Sequence, residues 1–561
     1  MEQSNISAGP VKQVDNLKKV KMTPVRMAGM LFCLTAAGAF GIEDMIPLSG
    51  PGFTLVMRII FAVIWAYPIS QIVSELSAIM PSEGGIYIWV KEALGEFWGF
   101  CTSWWGIMNC YLGLSVYIVL ITDYASKFIP ALQDPVTRFI VQFIIVAFFV
   151  ALNLKGLSDV SWVNTVFSIL ILLAFALVTI VGLTHWQYNP MVPFTPEGQS
   201  WVDSLGGSIC IVIWMYCGYE SISNMGGEIA NPEVIPKGFR LVMPVIALSY
   251  ILPTLAGIVS VGPWDEWATD GIGYGDVLSQ CLGYGWGVGF LVVAILSQMA
   301  IFNAYIASGS RAFFVIADDH LSPKFLAKTS KKSGLPVLSI MLLAIMVVVM
   351  MNFDFTTLMI ITAPLMLIVY VTLSLSLLVI RKKYPVEERN CWYIKGPKAK
   401  IYLYGILPMI ITVIALLVNG TEYFLLGFVS IGSAVLFYIA FKLIYGGLYK
   451  DDPERHPINP KTRLAKGDIT RFGVYILAFG LYAIVGSFFL AWYEGSWGPE
   501  YYLDLYGEGT LIGNFWLMIK VARVGGIIAT VVSLILIAIG KKTDPPARGL
   551  FEVRPGDEPG K

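Results

Sequence analysis

The 561-residue sequence predicts an all-α polytopic membrane protein, and three observations carry that expectation. Composition is 56% hydrophobic and 14% charged, with a mean hydropathy of +0.71, far from the balance of a soluble domain. Apolar runs able to cross hydrocarbon, which takes roughly 20 residues, begin near 28, 53, 100, 136, 161, 204, 238, 288, 336, 356, 402, 424, 470 and 511. They give about 14 spans, numbered here helices 1 to 14. Finally, loop charge alternates: 185–203, 263–287, 352–356, 418–424 and 494–511 contain no Lys or Arg. Between them, 324–332 holds four basic residues, 381–400 seven and 442–471 seven. This is the positive-inside pattern, so both termini are expected in the cytoplasm of a multi-pass plasma-membrane protein.

The elements follow in order. Residues 1–25 are a polar cytoplasmic segment with Lys12, Lys18, Lys19 and Lys21, and no cleavable signal is apparent, so helix 1 is expected to stay in the membrane. Helices 1 to 5 (26–184) and helices 6 to 10 (204–380) form two successive blocks. Five is odd, so the second block enters from the opposite side, which makes an inverted repeat. Helices 11 and 12 (401–446), a charged Pro-rich linker (447–469), helices 13 and 14 (470–540) and a cytoplasmic tail (541–561) lie outside it. Two places resist simple assignment. Lys520 and Arg523 lie inside the last run: either they snorkel or face the bundle, or 511–523 is interfacial and the span is only 524–540. Arg58, near the outer end of helix 2, is expected to snorkel to the interface.

Function is concentrated at two tetrapeptides, Gly41-Ile42-Glu43-Asp44 in helix 1 and Gly218-Tyr219-Glu220-Ser221 in helix 6. Glycine lets a membrane helix unwind, and freed backbone groups are tolerated at that depth only beside a cavity or ligand. A carboxylate at the helix centre costs roughly 2.5 to 3.5 kcal/mol on insertion scales, so Glu43, Asp44 and Glu220 are candidates for proton coupling or cation recognition. The alternatives are that Glu43 or Asp44 caps the outer end of helix 1, and that Glu220 makes an ordinary intrahelical contact. Glu75 and Glu228, at helix ends, read as structural hydrogen-bonders.

Several classes are disfavoured. Zero formal net charge gives no reason to expect a nucleic-acid partner. The seven cysteines show no metal or redox spacing and read as packing residues; no cofactor or metal is expected. A membrane-embedded enzyme needs a nucleophile with a base, or a metal cluster. The only histidines, His185, His320 and His456, fall in predicted loops. A channel needs a ring of selectivity groups, which two unlike broken helices do not obviously supply.

Motifs add a family resemblance. Ser74-Glu75-Leu76, Met80-Pro81-Ser82-Glu83-Gly84-Gly85-Ile86-Tyr87, Ala93-Leu94-Gly95 and Trp98-Gly99-Phe100 resemble the amino acid-polyamine-organocation transporter superfamily. So do Gly227-Glu228-Ile229-Ala230-Asn231-Pro232, and Ser310-Arg311 through Leu321-Ser322-Pro323. The helix 1 run Gly38-Ala39-Phe40-Gly41-Ile42-Glu43-Asp44 is similar to the polyamine-uptake branch, whereas typical amino acid permeases carry a Gly-Ser-Gly-like run where this chain has Ala37-Gly38-Ala39.

The resemblance implies a LeuT-like five-plus-five fold, alternating access and a substrate held between the broken halves of helices 1 and 6. It gives Glu220 a gating or proton-sensing role and suggests Asn109 as a pocket group. Helix 5 lacks the lysine that some relatives use as a proton carrier. In such a site, the carboxylate of an amino acid accepts from amides of Ala37, Gly38, Ala39, Phe40 and Gly41, while its ammonium faces carbonyls from Trp214 through Cys217 to Gly218. Tyr219, Phe40, Trp214 and Phe302 are candidate walls or plain packing aromatics. The expected partners are an amino acid or polyamine substrate, with protons as candidate co-substrate, and the lipid bilayer; nothing specifies an oligomeric state.

Overall fold

The structure, a computed structural model, describes residues 19–35, 40–82, 84–155, 157–268, 271–330, 335–353 and 355–544. Ala37, Gly38 and Ala39 therefore lie outside the described residues. Among the described residues, twelve helices are long and apolar enough to cross a membrane, and two more, Pro24–Thr35 and Val337–Met350, are apolar but shorter. Together they occupy the fourteen expected positions, two of them with less than a full-length span.

Helix 1 begins at Pro24, where a missing amide hydrogen costs nothing, and is described as far as Thr35. Residues 40–44 are not helical, a five-residue helical turn follows at Met45–Ser49, and helix 2 starts almost at once at Pro51. Helix 6 is fixed at its start by a capping box in which Ser200 and Asp203 bond each other's backbone amides. Its α-helix stops at Met215, and the chain continues as tight 3₁₀ turns, Tyr219–Asn224 and Gly226–Glu228. Helices 2 (Pro51–Ile79), 3 (Glu96–Ser126), 7 (Val234–Ser260), 8 (Tyr284–Asp318) and 10 (Phe355–Lys383) contribute to the core around these two interrupted rods.

The face carrying the basic loops is closed by ion pairs. Buried Glu75 accepts from Arg381 Nε (2.7 Å) and Nη2 (2.5 Å), Arg389 Nη1 (2.8 Å) and the Ile394 amide (2.9 Å). Arg311 pairs with buried Glu228, and Lys91 with Asp319, which also accepts from Tyr87. Lys442 and Glu96 pair with both side chains fully buried. Lys383 and Tyr384 hold Glu92 in the connecting helix Gly85–Leu94. Burial alone would raise that carboxyl, but the Lys383 charge and these hydrogen bonds leave it below the usual carboxylate range. The N-terminal segment is strapped to the same face. Val20 donates to Glu228 O (2.7 Å) and accepts from Ala230 (2.9 Å), and Asn231 bonds both backbone groups of Met22.

The opposite, cation-poor face is closed differently, and Arg58 corrects the sequence reading. It does not snorkel: it is 0% exposed. Its guanidinium donates to Ile42 O (2.9 Å), Tyr250 O (3.3 Å), Tyr274 OH (3.2 Å) and Thr254. Among the described residues no carboxylate pairs with it; helices 1, 2 and 7 and the connecting helix Tyr274–Leu282 meet around one charge held by neutral oxygens.

Helices 13 (Asp468–Tyr493) and 14 (Phe515–Thr543) pack as a close pair, with Gly473, Gly480, Gly526 and Gly540 at the contact. A Cβ at Gly480 would stand 2.8 Å from the Thr530 amide, so only glycine permits this approach. Helix 14 is continuous from Phe515 to Thr543. Arg523 faces the bundle, 4.0 Å over the Phe488 ring and bonded to Ser487 Oγ (3.2 Å), while Lys520 points outward.

Candidate functional site

Both tetrapeptide glycines adopt a backbone that L side chains rarely take, φ 72° at Gly41 and 103° at Gly218. Gly41 donates its amide to Tyr124 OH at 2.8 Å. At Gly218 a Cβ would overlap the Leu34 carbonyl and the Tyr305 hydroxyl, so the two broken rods touch through a hydrogen atom. The Gly218 amide donates to Tyr370 OH (3.2 Å), which in turn donates to Glu220 Oε2 (2.7 Å). A residue of helix 10 thus ties the break in helix 6 to its carboxylate.

Two adjoining cavities lie at the breaks, of about 740 and 600 Å³. The first is bounded by Phe40 and Ile42 from helix 1, Asn109 and Tyr117 from helix 3, Trp214 and Cys217 from helix 6, Gln298 and Tyr305 from helix 8, and Thr362 and Met366 from helix 10. Its described lining contains no Asp, Glu, Lys or Arg. The second shares Asn109, Cys110, Tyr305 and Met366 with it and adds Glu220, Ser221, Asn224 and Ser308. Tyr305 stacks on Tyr117, centroids 5.9 Å apart and planes at 21°, at the junction.

Two polar atoms on the first cavity, Gln298 Oε1 and Thr35 Oγ1, are buried without a hydrogen-bond partner among the described residues. An orphaned buried acceptor is costly, so both suit a ligand that donates hydrogen bonds. Aromatic faces of Phe40, Tyr117, Trp214 and Tyr305 around the same space suit an amine, since a cation over such a ring gains about 0.5 to 2 kcal/mol.

The structure separates the candidate residues. Phe40, Asn109, Trp214 and Cys217 line the first cavity, and Glu220 and Asn109 the second. Gly41 and Gly218 shape the breaks without lining either. Tyr219 is wholly buried against Phe239 (5.8 Å between centroids), away from both. Glu43 is 3% exposed and accepts from the Ile42 amide (2.9 Å), and Asp44 begins the turn Met45–Ser49; both stand outside the cavity linings. Sequence reasoning missed Tyr117, Gln298, Tyr305 and Tyr370. A glutamine inside the apolar run of helix 8 was the available signal; the tyrosines resemble packing residues until the fold brings helices 3, 8 and 10 to one point.

A helical membrane protein with two interrupted rods around an enclosed, largely uncharged cavity has the architecture of a solute carrier. The chain belongs to the amino acid permease family, whose profile matches residues 27–449. It is 30% identical over 338 residues to an Arabidopsis thaliana protein named "Probable polyamine transporter" (60% of this chain, 66% of that protein). It is 29% identical to polyamine transporter PUT1 of Oryza sativa subsp. japonica (62% and 64%) and 23% to branched-chain amino acid permease BcaP of Lactococcus lactis subsp. cremoris (64% and 80%). The chain thus spans just under two thirds of the length of the two plant relatives. Among solved structures, MhsT in complex with L-phenylalanine superposes with a TM-score of 0.55 at 12% identity, covering 72% of this chain and 99% of that one. That likeness gives the fold, a LeuT-like architecture.

Proposed function

We propose that this protein is a secondary carrier that moves amino acids or polyamines across the membrane by alternating access. The observation that carries the reading is the two-chambered cavity at the paired helix breaks, with one carboxylate, Glu220, at one end and aromatic walls at the other. In this reading Glu220 receives an ammonium group or a proton, Gln298 Oε1 and Asn109 take hydrogen bonds, and Tyr117, Trp214 and Tyr305 cover the alkyl chain. Ala37, Gly38, Ala39 and Gly41 supply the backbone beside the site. Glu43 and Asp44, set back from the cavity, act at the gate on the cation-poor side. By the positive-inside rule the basic face and both termini are cytoplasmic, in the plasma membrane. The uncharged first chamber favours a second reading, exchange of neutral amino acids.

The test is saturable counterflow in proteoliposomes, with putrescine, spermidine, lysine and arginine competing against leucine and phenylalanine, with and without a pH gradient. Glu220→Gln is expected to lower uptake of cations about tenfold or more and to spare neutral substrates. Competition by neutral amino acids alone selects the second reading. Flux that neither saturates nor exchanges overturns the carrier and leaves a channel.

A further inference from the structure

We propose that the groove between helices 10 and 11 on the basic face is a binding site for the phosphate-bearing headgroup of an anionic phospholipid. The groove lies open to solvent between the end of helix 10, the segment that follows it and the start of helix 11 (Lys398–Val418). Its lining carries four cations, Arg381, Lys382, Lys395 and Lys398, against one carboxylate, Glu387. Arg381 is engaged by Glu75 and Ile394 O. Lys382, Lys395 and Lys398 are exposed, and among the described residues no carboxylate pairs with any of them. Three unneutralised ammonium groups converging on one concavity repel one another until an anion enters.

The walls are held in place. Glu75, 0% exposed, gathers Arg381, Arg389 and the Ile394 amide, so helix 2 fixes the segment from Pro385 to Ile394 that forms one side. The position is that of a headgroup. The cations sit at the basic ends of two spans, while Tyr402, on the groove wall, and Leu403 are 45% and 55% exposed on the next turn of helix 11, where acyl chains run. Basic pockets between spans on this side of a membrane are suited to anionic headgroups, each lysine near the surface adding roughly a fivefold gain in affinity. The inference needs the membrane placement only and is independent of which solute the carrier moves.

The test measures binding of fluorescent phosphatidylglycerol and phosphatidylcholine to the full chain in neutral detergent, with glycerol phosphate as soluble competitor. The expected result is tight binding of phosphatidylglycerol only. Changing Lys382, Lys395 and Lys398 together to Gln is expected to weaken it on the order of a hundredfold, and changing them to Arg is expected to restore it. A Lys541→Gln/Lys542→Gln pair, at the basic end of helix 14, is expected to leave it unchanged. Equal binding of the two lipids, or full binding by the triple Gln variant, overturns the proposal. Displacement by glycerol phosphate at concentrations comparable to the lipid also overturns it, in favour of a soluble anion.

Discussion

The two membrane faces of this protein close around the same cavity by unlike chemistry. On the basic face, buried charges are paired with opposite charges: Arg311 with Glu228, Lys91 with Asp319, Lys442 with Glu96, and Glu75 with two arginines. On the cation-poor face Arg138 and Asp123 make a partly exposed pair, but the fully buried cation, Arg58, donates to carbonyls and hydroxyls, its Nε without a partner among the described residues. Removing one member of a buried pair strands its partner's charge, whereas removing Arg58 strands only neutral acceptors. The first closure is therefore brittle to single substitutions, and the second is graded.

That contrast predicts a ranking. Arg311→Met is expected to cost about 3 to 5 kcal/mol, because Glu228 is left charged at 3% exposure. Adding Glu228→Met is expected to recover most of it. Arg58→Met is expected to cost about 2 kcal/mol, spread over the acceptors on Ile42 and Tyr274. Denaturant unfolding of the purified protein in nanodiscs checks both, and a larger loss for Arg58→Met than for Arg311→Met would break the comparison.

The smallest expected effect concerns pH, and its sign differs between the faces. On the cation-poor side Glu494, just past the end of helix 13, accepts from the Thr421 amide (3.2 Å) and hydroxyl and from Tyr502 (3.3 Å) in the capping helix Gly498–Tyr506. Burial pushes its carboxyl up to about 7, against the pull of those donors. Its contribution is present in full below the ordinary carboxylate value and is lost as pH rises through about 7. Glu92 on the basic face runs the other way: its contribution is present above the ordinary value and is lost as pH falls through its depressed one. Hydrogen exchange is expected to show 498–506 less protected at pH 8 than at pH 6, on the order of several-fold, with Glu494→Gln removing the difference. Over that range 85–94 is expected to stay level, loosening only on strong acidification. Greater protection of 498–506 at the higher pH would contradict the assignment.

What the sequence disclosed follows the same division. Helix interruptions announce themselves locally, because Gly41 and Gly218 sit in apolar runs beside carboxylates and both take positive φ. The basic loops likewise mark their face without any knowledge of packing. Arg58 was misread because a lone cation in an apolar helix looks the same whether it reaches for water or for Tyr274, 216 residues away. Glu43 and Glu220 read alike in sequence, yet of the two only Glu220 lines either of the described cavities at the breaks, since side-chain direction at an unwound turn has no periodicity to betray it. The tyrosines of helices 3, 8 and 10 acquire meaning only through distant contacts.

In the proposed carrier, the strap joining residues 20–22 to 228–231 ties the segment before helix 1 to the second half of helix 6. Any swing of the first half of helix 1 away from helix 6 must either carry the 3₁₀ turns along or unzip four hydrogen bonds, so the flanking tail acts as a latch. A spin label at position 19 paired with one at 233 would then read out each opening event as a lengthening distance, without a transported solute being followed at all.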